Sequence, residues 1–503
     1  MIPVVDIFAG PGGLNEGFSS IRDEQGKRVF KTVLSIEMET SAVKTLTLRA
    51  AHRFLLDLPE GQPEIYKKYL SQDVTYDEMR AAPEVAEAFA HAGAEVRQFT
   101  LSEDSRPESD ALIRESLQDS SEWVLIGGPP CQAYSMAGRS RRKHDATFKD
   151  DHKHFLYKEY LHIITEFRPA VFVMENVKGM LSSKSGDGKI FELIEQDLRA
   201  PGYDLHSMVV SSDTGELKPT DFIIKSEQFG IPQKRHRVII VGLRRDAQLP
   251  APKVLESREP VSVQDAIWSL PHLRSGISRR PQSTWEDWAT IRAQAHKFLQ
   301  ALPGKERASA PSLYELETKS NSVRPPEPFD KASAAGELQT WLRKDAAPVT
   351  WNHEARGHML EDLVRYYLLA ALVTADGSSP KVRSLPTAHW PKHNNINNVV
   401  VPFEDRFRVQ AWGKPSSTVV SHIAKDGHYY IHPDHEQMRS LTVREAARLQ
   451  TFPDNYIFLG NRTQQYTQVG NAVPPLLASK IAQRIAEVLG STLLGVQRSN
   501  LDL

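Results

Sequence analysis

Trp123-Val-Leu-Ile-Gly-Gly-Pro-Pro-Cys-Gln132 is the stretch on which the reading of this chain turns. An apolar run that ends in Gly-Gly-Pro-Pro reads as a strand leading into a rigid loop. In open α/β sheets, ligands bind just beyond the carboxyl ends of the strands. Cys131 is the only cysteine in 503 residues, so it cannot form an internal disulfide and is kept either by packing or by chemistry. Free cysteine often behaves as a small buried hydrophobe. The flanks favour chemistry here, because a thiol on that loop is presented to a cleft, where its ionised form can attack.

The length exceeds one ordinary core and predicts two domains, or one with a large insertion. With 40% hydrophobic and 25% charged residues, the composition is that of a soluble globular protein. No run of about 18 apolar residues appears, and the amino terminus lacks a basic region followed by an apolar core. A cytoplasmic protein with no membrane partner is expected. Formal net charge is -1, so there is no overall basic field, and nucleic acid would be met by local patches. Two candidates are Arg139-Ser-Arg-Arg-Lys143 and Lys234-Arg-His-Arg237. Charge alone favours solvated loops for both.

Val4-Val-Asp-Ile-Phe8 reads as a buried strand that runs into Ala9-Gly-Pro-Gly-Gly-Leu14 and then a helix. Glycines in such a turn let the backbone approach a ligand closely, and the helix amino terminus favours an anionic group. A second strand, Thr32-Val-Leu-Ser-Ile36, ends at Glu37, where a carboxylate can accept from a ribose diol. Together these two elements suggest a nucleoside-containing cofactor. Residues 50–120 are charged and helix-prone, with Lys67-Lys68 and an Ala-rich stretch, and read as a helical insertion.

His144, His152 and His154 lack the cysteine partners or helical spacing of a metal site, so no metal is expected and the segment reads as a polar loop. Leu156 to Phe167 has helical periodicity, stopped by Pro169. Ala170-Val-Phe-Val-Met174 is another strand, closed by Glu175-Asn-Val177. Gln233, Arg235 and Arg237 alternate ahead of Val238-Ile-Ile-Val-Gly242 and would share one face of a strand. Between 250 and 400 the texture shifts to Pro, Ser, Arg and scattered Trp, which marks a second domain or long insertion. Those tryptophans more often fill a core than stack on a base. Leu363 to Val373 reads as a buried helix and Val399 to Val420 as strands and turns. Leu441 to Gln450 reads as an amphipathic helix, and Leu476 to Leu489 as the last one.

Six blocks, in order, carry a resemblance: residues 6–18, 127–135, 174–177, 228–242, 441–453 and 468–475, with Glu37 beside them. The chain resembles the bacterial-type DNA (cytosine-5)-methyltransferases. Residues 50–120 and 250–400 carry no informative match. The resemblance implies an α/β, Rossmann-like S-adenosylmethionine-dependent methyltransferase sheet with helices on both faces. It adds a smaller, irregular α+β target-recognition domain. The expected division is a catalytic domain over 1–255, a recognition region over 256–455 and a return to the catalytic domain over 456–503.

The resemblance also implies S-adenosylmethionine as methyl donor and double-stranded DNA as substrate. Phe8, Gly10, Gly12, Gly13 and Leu14 would line the cofactor and Glu37 would hold its ribose, while Pro130, Leu156 and Asn471 would complete the pocket. Carbon 5 of cytosine is a poor nucleophile within an aromatic ring, and thiolate attack at carbon 6 makes it enamine-like. Cys131 would be that nucleophile. Glu175 would bond the ring nitrogen and exocyclic amine, Arg237 the ring carbonyl, and Arg235 would hold the site. The base must be flipped out of the duplex. Arg139, Arg141, Arg142 and Lys143 would close on phosphates, with Gln233 a further DNA contact. Lys381, Arg383, His389, Trp390, Arg406, Arg408 and Lys414 to Thr418 are further candidates for DNA contact in the recognition region.

Two departures from the family stand out. Met38 occupies a place often held by an aromatic residue, and no acidic residue can be assigned to the adenine amine, with Glu103 and Asp104 as candidates. Methylation of an exocyclic amine is a rival reading, but those enzymes carry Asp, Asn or Ser where Gly128 stands. A tRNA methyltransferase of the same fold is a second, and a non-catalytic DNA-binding module a third. The expected setting is restriction-modification or related phage defence, as a monomer beside a cognate endonuclease or other defence protein; an orphan regulatory methylase fits equally well.

Overall fold

The computed structural model describes residues 1–118, 120–130, 156–182, 184–185, 188–211, 215–280, 283–302, 316–320, 333–373, 377–391 and 406–490. Cys131, Arg139, Arg141, Arg142, Lys143 and the three histidines at 144, 152 and 154 lie outside the described residues.

One sheet organises the chain. Its strands are β1 (Ile2–Ile7), β2 (Phe30–Glu37), β3 (Val96–Gln98), β4 (Val124–Gly127), β5 (Val171–Val177), β8 (Tyr203–His206), β9 (Ile223–Lys225) and β11 (His236–Arg244). The order is β3-β2-β1-β4-β5-β11-β8, with β9 pairing β11. The first five are parallel, and β11 runs antiparallel to β5, β8 and β9. Residues of β1 and β4 are buried on both faces, which is why they read as near-continuous apolar runs. From β1 the chain proceeds outward through β2 and β3, then returns to lay β4 and β5 on the other side. That reversal opens a crevice beyond the carboxyl ends of β1 and β4.

Helices cover both faces. On one lie α1 (Gly13–Ser19) and, from the far end of the chain, α15 (Pro475–Val488), with Leu14, Phe18, Leu477 and Ile481 in a common core. A Cβ on Gly17 would stand 2.4 Å from that of Ala478, so glycine there permits the close crossing. On the other face are α6 (Arg106–Leu117), α7 (Leu156–Phe167) and α8 (Ile190–Arg199), with Ile113, Tyr160, Ile163 and Ile194 against Leu125 and Phe172.

The region expected to be a helical insertion is only partly one. α2 (Thr40–Leu56), α3 (Glu64–Leu70), α4 (Tyr76–Ala81) and α5 (Ala86–Glu95) share a core of their own, but β3 extends the sheet and α6 covers it. β3 escaped the sequence reading because Val-Arg-Gln is a three-residue edge strand with one apolar side chain.

The stretch expected to recognise the target has a separate core around α10 (Trp285–Gln300) and α12 (Leu360–Ala371), joined by Phe407, Ile431 and Met438. Trp288 is fully buried there, a core tryptophan. The flanks pack differently from the division at 255 and 455. α9 (Val263–Ile267), α11 (Ala334–Arg343) and α13 (Val443–Leu449) place their apolar residues in the main core. Nor is α13 amphipathic in its setting: Arg444, Glu445 and Arg448 are all buried. Short ladders complete the fold: β6 (Lys184–Ser185) with β7 (Gly188–Lys189), β10 (Gln233–Lys234) with β14 (Ser416–Ser417), and β12 (Gly276–Ile277) with β13 (Gly357–His358). No helix among the described residues is long and apolar enough to cross a membrane.

His353 sits at the seam between the two cores, its ring nitrogens bonded to Thr442 Oγ1 at 2.9 Å and the Pro271 carbonyl at 2.8 Å. Burial pushes it down to about 4. A histidine with a depressed folded pKa contributes stability that is full above its unfolded value near 6.5 and is lost as pH falls towards the folded value. Between pH 7.5 and 5, His353 should cost about 2 kcal/mol. Thermal melts at the two pH values should therefore differ less for His353→Gln than for the wild type.

Candidate active site

The turn after β1 reaches the left-handed region three times, at Phe8 (φ 55°), Gly10 (φ 55°) and Gly12 (φ 86°). It is pinned from β2: Gly10 N–H donates to Glu37 Oε2 at 2.8 Å, while Met38 and Glu39 N–H donate to Glu37 Oε1 at 2.9 Å. Glu37 is thus fixed in rotamer by charge-assisted bonds. A Cβ at Gly13 would stand 2.2 Å from the Val473 carbonyl, so the carboxyl-terminal segment closes directly on this turn.

Beyond the turn lies a cavity of about 530 Å³. Of the expected cofactor residues, Phe8, Gly10, Gly13, Leu14, Glu37, Pro130, Leu156 and Asn471 all line it. Gly12 does not; it caps α1, and a Cβ there would stand 2.7 Å from Leu46, so its role is packing and turn geometry.

Glu175, Arg235 and Arg237 line the same cavity, with Gly128 and Pro129 beside them. β5 carries Glu175 and β11 carries Arg237, and Arg237 Nε lies 2.7 Å from Glu175 Oε1. Both side chains are 14% exposed, sheltered but reachable. A Cβ on Gly128 would stand 2.8 Å from Glu175 Oε2, so glycine makes room for this carboxylate. Asn176 Nδ2 donates to the Pro129 carbonyl at 3.1 Å and fixes the strand end against the loop that leads to Cys131.

Arg235 and Arg237 do not share a setting. Arg235 is 2% exposed and donates to the Val419 carbonyl at 2.8 Å and the Gly470 carbonyl at 3.3 Å. Burial, then the charge of Arg237, depress its pKa well below the usual guanidinium value. Gln233 corrects a stronger expectation. It is fully buried, donating to the Leu449 carbonyl at 3.1 Å and Gln450 Oε1 at 2.9 Å, and accepting from Val419 N–H at 2.6 Å. Its amide has no face left for DNA; the period-two pattern located the strand but not which side met solvent.

Sequence reasoning missed Phe99 to Leu101, which follow β3 and line the cavity. Phe99 N–H donates to the Glu37 carbonyl at 3.0 Å and brings an aromatic ring to the pocket, whereas Met38 is 60% exposed. Glu103 and Asp104 are exposed and do not line the cavity. Val420 and Ser421, from the stretch expected to recognise the target, do line it. Among the described residues no group of three or more His, Cys, Asp or Glu is placed to hold a metal.

The sequence profile of C-5 cytosine-specific DNA methylases matches residues 108–487. The chain belongs to that family. It is a DNA (cytosine-5)-methyltransferase. It is 34% identical to the type II methyltransferase M.Bpa9945I of Bacillus paralicheniformis over 97% of this chain and 99% of that one. It is 27% identical to the DNA (cytosine-5-)-methyltransferase M.ApeKI of Aeropyrum pernix, over 73% of this chain and 81% of the relative. Among solved structures, a prophage-encoded E. coli protein described as a DNA modification methyltransferase shares the fold. It has a TM-score of 0.54 and 18% identity, covering 98% of this chain and all of the other.

Methylases of this family draw the methyl group from S-adenosylmethionine, and the residues present fit that molecule. Glu37 presents a fixed carboxylate edge, and a Cβ added at Gly10 would meet no atom within 4 Å, so the space before the turn is open to a ligand. The cavity is within the range of small-molecule sites, about 300–1,000 Å³.

Gln233→Leu would leave the Val419 N–H and the Leu449 carbonyl unpaired. The methylase should lose about 1–3 kcal/mol of stability, read from denaturant unfolding. The salt dependence of DNA binding should stay as in the wild type, whereas loss of a phosphate contact would reduce its slope by about one.

Proposed function

We propose that the enzyme methylates one cytosine of a short DNA sequence through a covalent adduct of Cys131, with the base flipped out of the duplex. The observation that carries this reading is the single cavity joining the Gly10–Leu14 turn and Glu37 to Glu175, Arg235 and Arg237. The loop Gly128-Pro129-Pro130 at its edge leads to Cys131 within one residue.

Phe8, Gly10, Gly13, Leu14, Glu37, Pro130, Leu156 and Asn471 would hold S-adenosylmethionine, with Phe99 added as an aromatic surface for the adenine. When bound, this cofactor supplies an electrophilic methyl group on a sulfonium sulfur. The Cys131 thiolate adds to carbon 6 of the cytosine, and the ring electrons move to carbon 5. Arg237 donates to the ring carbonyl and Glu175 bonds the ring nitrogen and exocyclic amine, so charge developing on the ring is met in a sheltered site. Once carbon 5 carries the methyl group, a base removes its proton and the carbon–sulfur bond breaks to restore the ring and the thiolate.

Arg235 acts as a positioning residue, since its two terminal nitrogens are anchored on the Val419 and Gly470 carbonyls. Its buried charge also favours a nearby thiolate. The basic residues Arg139, Arg141, Arg142 and Lys143 would bind phosphates around the flipped base. Residues 256–440 would read the flanking sequence. A restriction-modification role, as a monomer beside a cognate endonuclease, is supported by likeness to a relative named a type II methyltransferase.

Expression in a methylation-free host followed by base-resolution mapping should find 5-methylcytosine at one short sequence. Cys131→Ser should reduce it to background. Equal methylation by both proteins would remove Cys131 as the nucleophile, and methylation in RNA alone would overturn the DNA reading.

A further inference from the structure

No family block covers the α3–α5 helices, yet Ile457, Leu459 and Trp351, from far along the chain, pack into the core they share, and one of these contacts is a directed hydrogen bond. Trp351 Nε1 donates to the Leu70 carbonyl at 2.9 Å. Leu70 is the last residue of α3, and the closing carbonyls of a helix have no acceptor role within it. The indole therefore satisfies a helix end at a buried residue, Leu70 being 7% exposed. Its ring also packs on Tyr69, 5.0 Å between centroids, at the edge of the core these helices share.

Trp351 belongs to the recognition region and is held from its other side as well. Arg444 of α13, fully buried, donates from Nε to the Trp351 carbonyl at 2.9 Å and from its backbone N–H to the Asn352 carbonyl at 3.0 Å. Asn352 has φ 59°, and its amide bonds Phe458 in both directions, at 3.0 Å each. Eight residues on, the chain enters α12, the central helix of the recognition core. Trp351-Asn352 is thus the root of that region, fixed between α3 on one side and the main core on the other.

We propose that the α3–α4 pair is a brace for DNA recognition, acting through Trp351 as a positioning residue that sets the recognition region against the cavity. This rests on the reading of residues 256–440 as the part that meets DNA. The work of the pair is to hold the root so that the helix following it has one orientation, and the α2–α5 core supplies the rigidity for that.

The test uses the full chain. Trp351→Phe keeps a ring but loses the N–H; Tyr69→Leu loosens the same contact from the insertion side. S-adenosylmethionine affinity of the DNA-free enzyme, by calorimetry, should stay within about twofold of wild type, since the cavity residues are untouched. KM for DNA should rise about threefold to tenfold, the range for one lost hydrogen bond. The preference for the cognate sequence over one-base variants should fall by a similar factor. The two changes should be non-additive in a double-mutant cycle, because they act on one contact. Unchanged KM and preference in folded variants would overturn the brace, as would an equal loss in S-adenosylmethionine affinity. A wild-type enzyme that methylates cytosine without sequence preference would instead sink the reading of the recognition region, and the brace with it.

Discussion

The buried knot around Gln233 and Arg235 is what the rest of the structure depends on. Four stretches far apart in sequence meet there: Gln233 to Arg235, Ser416 to Ser421, Leu449-Gln450 and Val469 to Ala472. Gln450 passes the amide chain on, donating to the Val469 carbonyl at 2.7 Å. A Cβ on Gly470 would stand 2.3 Å from the Ser421 nitrogen, so the two backbones touch only because that residue is glycine. Each buried amide left unpaired costs about 1–3 kcal/mol, so one register satisfies the knot and neighbouring ones do not. That register fixes Arg237, two residues on, and Asn471 beside Gly470. It lets the main core close although a stretch with a core of its own interrupts it in sequence.

Buried charge does similar work along α13. Arg439 donates to both oxygens of Glu445 at 2.7 Å, and Arg448 pairs with Asp454 at 2.7 Å. Burial alone would raise the pKa of Glu445, but Arg439 and His432 hold it well below the usual carboxylate range. Such pairs add little net stability against an apolar replacement, while losing one member strands the other. Their effect is to permit one packing of α13 between the core of α10 and α12 and the main core. From there Tyr456 reaches the cofactor turn, its hydroxyl donating to the Pro11 carbonyl. A chain of fixed contacts therefore runs from Trp351-Asn352 through Arg444 and Tyr456 to the floor of the cavity.

How far the sequence could be read follows from these forces. β1, β2, β4 and β5 are buried on both faces or nearly so, and their apolar runs were legible. Glu37 and Glu175 were legible because a carboxylate at a strand's carboxyl end stands where the sheet binds ligands. β3 was not, and Phe99 was lost with it. Gln233 and α13 misled in the same way: polar side chains in sequence suggest a wet face, and here each one finds a buried partner. Pattern reports polarity; it does not report which polar groups have found acceptors 200 residues away. The separation at Gln233–Gln450 is of that order, 217 positions.

The same steric logic bears on the reaction class. A residue before Pro-Pro that accepts from an exocyclic amine would need a side chain at position 128. At Gly128 even a Cβ would come within 2.8 Å of Glu175 Oε2, and Glu175 is held there by Arg237. The space an amine acceptor would fill is taken by a carboxylate from the neighbouring strand. On the proposed roles, that exchange moves the polar contacts from one substituent of the base to the ring as a whole: carbonyl to Arg237, ring nitrogen and amine to Glu175. A ring so gripped would be polarised for addition at carbon 6, the step proposed for Cys131.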